Sequence, residues 1–247
     1  MKLVKFFALT LVLSVFCEAE GRAQEPPPPP DQSVVRLTNC TIDDGFTFAD
    51  LVERARDLPR NDTSPDNVFF RRPVYVSAEY QERWDVQVAL FYPSFTEMIN
   101  RRVAAANSVR GRLPMSCGPA QVLRNFTARQ AEGPFANPTA MTTSFCRLTD
   151  GSLRGAFNRI STIAGNYGAA GNEALVQMYL PGLGGPLDRA SDFLLAIVGT
   201  SREELTEGLD LRLNGFRAEL GNYSTAGFSC DRPSLWSTTG IYSDPTN

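Results

Sequence analysis

The sequence predicts an α+β chain in which one β-α-β-β-α-β unit is written twice, and three observations carry that reading. Cys40-Thr41-Ile42-Asp43-Asp44-Gly45 returns 106 positions later as Cys146-Arg147-Leu148-Thr149-Asp150-Gly151. Asp85, Ala89, Ser94 and Glu97 return with the same internal spacing as Asp192, Ala196, Ser201 and Glu204. Each copy then closes on a cysteine with a proline shortly after it, Cys117-Gly118-Pro119 and Cys230-Asp231-Arg232-Pro233. Self-similarity at a fixed period marks an internal duplication.

Residues 1–23 come first, with a basic start (Lys2, Lys5), an apolar run from Phe6 to Phe16 and a small-residue end at Gly21-Arg22-Ala23. This is the pattern of a cleaved export signal. A membrane anchor needs about 18 consecutive apolar residues, and Glu18 and Glu20 interrupt this run. The mature chain is therefore expected to start near Gln24, to be secreted or periplasmic and to have no stable membrane span. Residues 24–32 carry the prolines Pro26 to Pro30, which form an extended spacer without ladder hydrogen bonds.

The first unit, 33–126, opens with Val34 to Ile42, rich in β-formers and ending at Asp-Gly, hence a strand. Thr47 and Asp50 can close a capping box, and Phe48, Leu51, Val52, Ala55 and Leu58 make an apolar stripe that Pro59 ends. Val68 to Val76 is a second strand, which Pro73 assigns to an edge. Trp84 to Tyr92 is apolar on both faces and suits a central strand; Ser94 to Glu97 then starts a helix along Phe95, Met98, Ile99, Arg102 and Ala106. A last strand runs from Cys117 to about Phe126. This order is that of ferredoxin-like domains.

A linker, 127–140, leads to the second unit, 141–240, and a tail, 241–247. The second unit repeats the order: strand 141–149, helix 152–165, strands 173–180 and 192–199, helix 201–217 with a stripe of Leu205, Leu209, Leu213 and Phe216, and a strand at about 228–236. The loop Pro181 to Ser191 is longer than its counterpart at 77–83, and its glycines predict the most mobile segment of the chain.

Beyond the signal, four cysteines remain, and an even count in an exported chain predicts two disulfides with three connectivities. The repeat selects Cys40–Cys117 and Cys146–Cys230. First and fourth strands are neighbours in this order, so both bridges are sterically reasonable. No closely spaced ligand pairs suggest zinc, so no metal site is expected.

Each unit buries one sheet face under its helices and leaves apolar groups on the other, so two units can pack sheet against sheet. At this point the chain resembles the dimeric α/β-barrel superfamily, which includes antibiotic-biosynthesis-monooxygenase-like and NIPSNAP-like domains, with both subunits fused in tandem over about residues 33–240. The resemblance rests on element order and on the repeated Cys-x-Ile/Leu-x-Asp-Gly and Asp-x3-Ala-x4-Ser-x2-Glu patterns. It implies a monomer with an internal pseudo-dimer and a cavity between the sheets.

The chain has no histidine, and after residue 23 it has no lysine, its 21 cations being arginines. That excludes Ser-His-Asp and Cys-His nucleophiles, Schiff-base lysines and a haem-ligating histidine, so no cofactor is expected. Haem-dependent members of the superfamily are accordingly poor models. With 25 carboxylates against those arginines the mature chain is acidic, and no field suited to nucleic acid arises. Asp44 and Asp150 read as turn residues, Asp85 and Asp192 as exposed acceptors, Glu97 and Glu204 as capping groups. The triplets at Asn39, Asn61, Asn125 and Asn222 are taken as silent.

The sequence therefore predicts a non-catalytic exported module that binds a small apolar or anionic molecule or a partner at the cell envelope. Candidate ligand-binding residues are Arg71, for an anion, and Tyr75, Trp84, Tyr92 and Tyr179, for their aromatic faces on or beside strands. The alternatives are a cofactor-independent monooxygenase-like enzyme, which needs an enclosed pocket with a carboxylate or tyrosine, and a structural envelope protein, which needs a solid interior.

Overall fold

The computed structural model describes residues 32–76, 84–106, 113–184, 191–213 and 227–243. The expected signal, nearly all of the spacer, the 77–83 loop, the centre of the Pro181–Ser191 loop, the end of the 201–217 helix and the last tail residues lie outside the described residues. The elements are β1 (Gln32–Ile42), α1 (Phe48–Arg56), β2 (Asn67–Tyr75), β3 (Val86–Tyr92), α2 (Phe95–Ala106), β4 (Met115–Arg129), β5 (Thr139–Leu148), α3 (Leu153–Ala169), β6 (Leu175–Leu183), β7 (Phe193–Val198), α4 (Arg202–Leu213), β8 (Phe228–Cys230) and β9 (Ser234–Ser243).

The strands form one antiparallel sheet in the order β7-β6-β4-β1-β3-β2-β9-β5-β8, and β5 also pairs with β7. The sheet thus closes on itself as an eight-stranded ring, with β8 attached to β5 alone. The two halves meet edge to edge along β4–β6 and β2–β9. Strand directions alternate around the ring, so β1, β2, β5 and β6 all end at one rim.

Period-2 alternation sorts the side chains. One set points into the ring and packs as Val35, Leu37, Ala89, Leu123, Met141, Tyr179, Leu194, Ala196 and Trp236. The other set faces the helices: Leu51 and Ala55 of α1 cover Val68, Phe70, Val86 and Val88, while Ala156, Ile160 and Ala164 of α3 cover Val176, Met178 and Leu180. The Thr47–Asp50 capping box is present at the start of α1. At α2 and α4 only the serine half forms: Ser94 Oγ accepts the Glu97 N–H at 3.1 Å, and Ser201 Oγ accepts the Glu204 N–H at 3.0 Å.

Both expected disulfides are present, Cys40–Cys117 and Cys146–Cys230, each with its Cα atoms 4.0 Å apart. They join paired residues of β1 and β4 and of β5 and β8. Asp85 and Asp192 act alike beside them: their carboxylates accept the N–H groups of Ile42 (2.9 Å) and Leu148 (2.7 Å). Gly45 and Gly151 have φ of +85° and +84°, a left-handed turn that a Cβ would strain.

Three expectations are corrected. β2 is not an edge strand, because β9 pairs along its far side. Pro73 is accommodated because β3 pairs with β2 only through Arg71, so no β3 carbonyl awaits a proline N–H. The last strand is not continuous over 228–236: Asp231-Arg232-Pro233 bulges out between β8 and β9, and β9 continues to Ser243. Ile99, expected on the buried side of α2, is 50% exposed, because the helix rests on Met98 instead.

Candidate ligand site

Inside the ring, near the rim that carries the disulfides, lies a cavity of about 100 Å³ lined by residues of both halves. Its walls are largely apolar, with Leu37, Leu123, Phe145, Leu194 and Trp236; the polar side chains among its described lining are Arg71, Gln87, Gln121, Thr143, Tyr179 and Ser191. Eight-stranded barrels have room inside for packed side chains or for one small ligand.

Alternation along β2 turns Arg71 inward and Arg72 outward, where the Arg72 guanidinium stacks over Phe48 at 4.8 Å. Arg71 is 4% exposed. Its Nη1 donates to Gln87 Oε1 at 3.4 Å, and Gln87 is oriented by donating through Nε2 to Asn39 Oδ1 at 3.1 Å. Arg71 Nε has no acceptor, and no described carboxylate forms an ion pair with this guanidinium.

Tyr179 is fully buried and donates its hydroxyl proton to Gln177 Oε1 at 2.6 Å. Burial pushes the phenol above its ordinary range, while the Arg71 charge and a hydrogen bond from Arg71 act in the opposite direction. On β9, the strand next to β2, Trp236 donates its indole N–H to Thr143 Oγ1 at 2.8 Å.

The five candidate ligand-binding residues do not gather at one place. Arg71 and Tyr179 line the cavity together. Trp84 lies outside it, in an open groove of about 520 Å³ with Asp43, Asp44, Asp85 and Arg72, and stacks on Trp236 with ring centroids 5.5 Å apart. Trp236 thus forms part of the wall between groove and cavity. Tyr75 is 74% exposed, and Tyr92 is buried beneath α2 with Val34, Met98 and Val122.

Gln87 and Trp236 were not foreseen as site residues. Gln87 carried a signal, as a polar residue inside the otherwise apolar run Val86–Tyr92. Trp236 could not be placed by alternation from Cys230, because the Asp231–Pro233 bulge shifts the register.

No family model matches this chain, and no curated protein matches it. Solved structures of similar outline include a provisionally assigned monooxygenase from Lactobacillus acidophilus NCFM, 6% identical over 85% of this chain and 95% of that one, with a TM-score of 0.49. An anthrone oxidase-like protein is 11% identical over 86% of this chain and 94% of that one, TM-score 0.47. A mutant chlorite dismutase from Candidatus Nitrospira defluvii is 9% identical over 85% and 92%, TM-score 0.45. At these values none of the likenesses transfers a substrate or cofactor to this chain.

Haem does not fit the residues present. The chain has no histidine to serve as an axial ligand, and the four cysteines of the fold are held in disulfides. A cavity of about 100 Å³ is also far below the volume of a porphyrin pocket.

Proposed function

We propose that this protein is an exported binding module that takes a small anionic molecule into the interior of its barrel, with Arg71 as the counter-charge. The observation that carries this reading is the buried guanidinium, which lines a cavity, meets no carboxylate among the described residues and keeps one N–H without a hydrogen-bond partner. Removing a charge from water costs several kcal/mol unless a partner of opposite sign is supplied, and an anion entering the cavity supplies it. Two disulfides are compatible with an exported protein, and no helix among the described residues is long and apolar enough to cross a membrane.

The test is thermal unfolding of the purified mature chain in a panel of small anions and their neutral analogues at constant ionic strength. Anions should raise Tm in proportion to the logarithm of their concentration, and the neutral analogues should not. A flat response to every anion overturns the reading.

The same proposal includes the architecture: units 33–126 and 141–240, joined by 127–140, form an internal pseudo-dimer in a monomeric chain that follows an export signal, 1–23. The matched positions of Cys40 and Cys146, Asp85 and Asp192, and Gly45 and Gly151 support it. Light scattering should give one chain per particle, and amino-terminal sequencing of the exported product should start near Gln24.

A second reading, a cofactor-independent oxygenase, is favoured by one observation: a buried tyrosine beside a cation in the same cavity. It predicts oxygen uptake by the purified chain with an oxidisable anionic substrate, lost in Tyr179→Phe.

A further inference from the structure

Resting on the anion-binding reading, we infer that the ligand is a short monocarboxylate with an apolar tail, on the order of four to six non-hydrogen atoms in all. Three features narrow the class. The first is size: a 150 Å³ apolar cavity holds benzene, so about 100 Å³ holds a slightly smaller molecule.

The second is charge and shape. Arg71 is the single cation among the described lining residues, so among these one negative charge is matched and two are not. A guanidinium pairs with a planar carboxylate through two parallel N–H groups, and of this one Nη1 is already directed at Gln87. The third is the remainder of the wall. Leu37, Leu123, Phe145, Leu194 and Trp236 make its apolar part, with the indole N–H given to Thr143, while Gln121 and Ser191 add neutral polar groups elsewhere. A tetrahedral oxyanion directs more oxygens away from the guanidinium than a planar carboxylate does, and those that meet the apolar part lose their hydration, whereas a short alkyl tail gains from burial there.

Of the chain's two tryptophans, one lines the cavity and the other stacks on it, so their fluorescence reports occupancy directly. Titrations of the full mature chain with propanoate, butanoate, propanamide, phosphate and sulfate, at fixed pH and ionic strength, test the inference. Propanoate and butanoate should bind at least about tenfold more tightly than phosphate, sulfate or propanamide, a difference of about 1.4 kcal/mol. Octanoate should lose that advantage by overfilling the cavity. Arg71→Met and Arg71→Gln, each checked for a native circular-dichroism spectrum, should both abolish the preference.

Tighter binding of phosphate or sulfate that depends on Arg71 overturns the monocarboxylate assignment and leaves the anion site standing. Binding of propanamide equal to that of propanoate overturns both, as does carboxylate binding that survives in either Arg71 variant.

Discussion

The two halves of the ring place different residues at the same register. In the first half Arg71 pairs with Gln87 and is followed two positions on by Pro73; in the second, Tyr179 pairs with Leu194 and is followed by Pro181. Across the seams the match continues, Arg71 lying opposite Thr238 and Tyr179 opposite Asn125. The supports of the strands are thus alike, in disulfide, aspartate pin and left-handed glycine, while the inward side chains differ. What is shared holds the backbone; what differs puts the cavity's one described cation in the first half and a tyrosine at the matching place in the second.

The largest expected effects test the shared part. Replacing Cys40 and Cys117 by alanine, or Cys146 and Cys230, should each cost on the order of 4 kcal/mol in the chain-entropy model, read from urea unfolding. The sequence separations are 77 and 84, so the two losses should agree within about 0.5 kcal/mol. A twofold disparity would mean that the halves are not equivalently supported.

Next come the residues that differ, for which opposite signs are expected. Arg71→Met should raise the stability of the ligand-free protein by about 1–3 kcal/mol, because it removes a buried charge with no anionic partner, and should abolish anion binding. Tyr179→Phe should lower stability by about 1 kcal/mol, through loss of its hydrogen bond to Gln177. Chemical denaturation of both variants without added anions decides the signs, and destabilisation by Arg71→Met would point to a structural arginine.

Smaller still, Asp85→Ala and Asp192→Ala should each cost about 1 kcal/mol by freeing one backbone N–H, with near-equal shifts in the denaturation midpoint.

The smallest effect separates Glu97 from Glu204. Glu97 pairs with Arg101 at 3.2 Å, whereas Glu204 turns to Asn172 and to the N–H groups of Glu173 and Thr200. Burial first, with the neighbouring Glu173 charge adding to it, holds the Glu204 carboxyl above the usual range. The folded state therefore binds this proton more tightly than the unfolded state does. Stability from this group should fall as pH rises from the ordinary carboxylate range through the raised value, and the cost is fully present above it. Glu204→Gln should flatten that slope in pH-dependent unfolding; Glu97→Gln should only lose a few tenths of a kcal/mol from its i,i+4 pair.

Much of the scaffold was legible in the sequence because its signals are local or repeated. The repeated cysteines named both bridges, whereas the opposite facing of Arg71 and Arg72 came only with the strand's place in the ring. The seams were less legible. Pro73 pointed to an edge because the pairing of β2 with β9 spans about 170 residues, and no local pattern reports a partner that distant. The site was legible in part for the same reason: Arg71 and Tyr179 stand out singly, but their meeting depends on the closure of the ring. Tyr75 and Tyr92 have the same composition signal as Tyr179 and face elsewhere, since aromatic content does not encode direction.

That closure also bears on how the chain reaches its native form. β9 is the last strand in chain order, and it alone bridges β2 to β5, so until it docks the nascent ring is an open ribbon with two unsatisfied margins. Such margins invite pairing between molecules, and contacts so far apart along the chain form slowly. A chain synthesised amino terminus first would stay adhesive until residues 234–243 arrive, and would then lose that hazard in a single step.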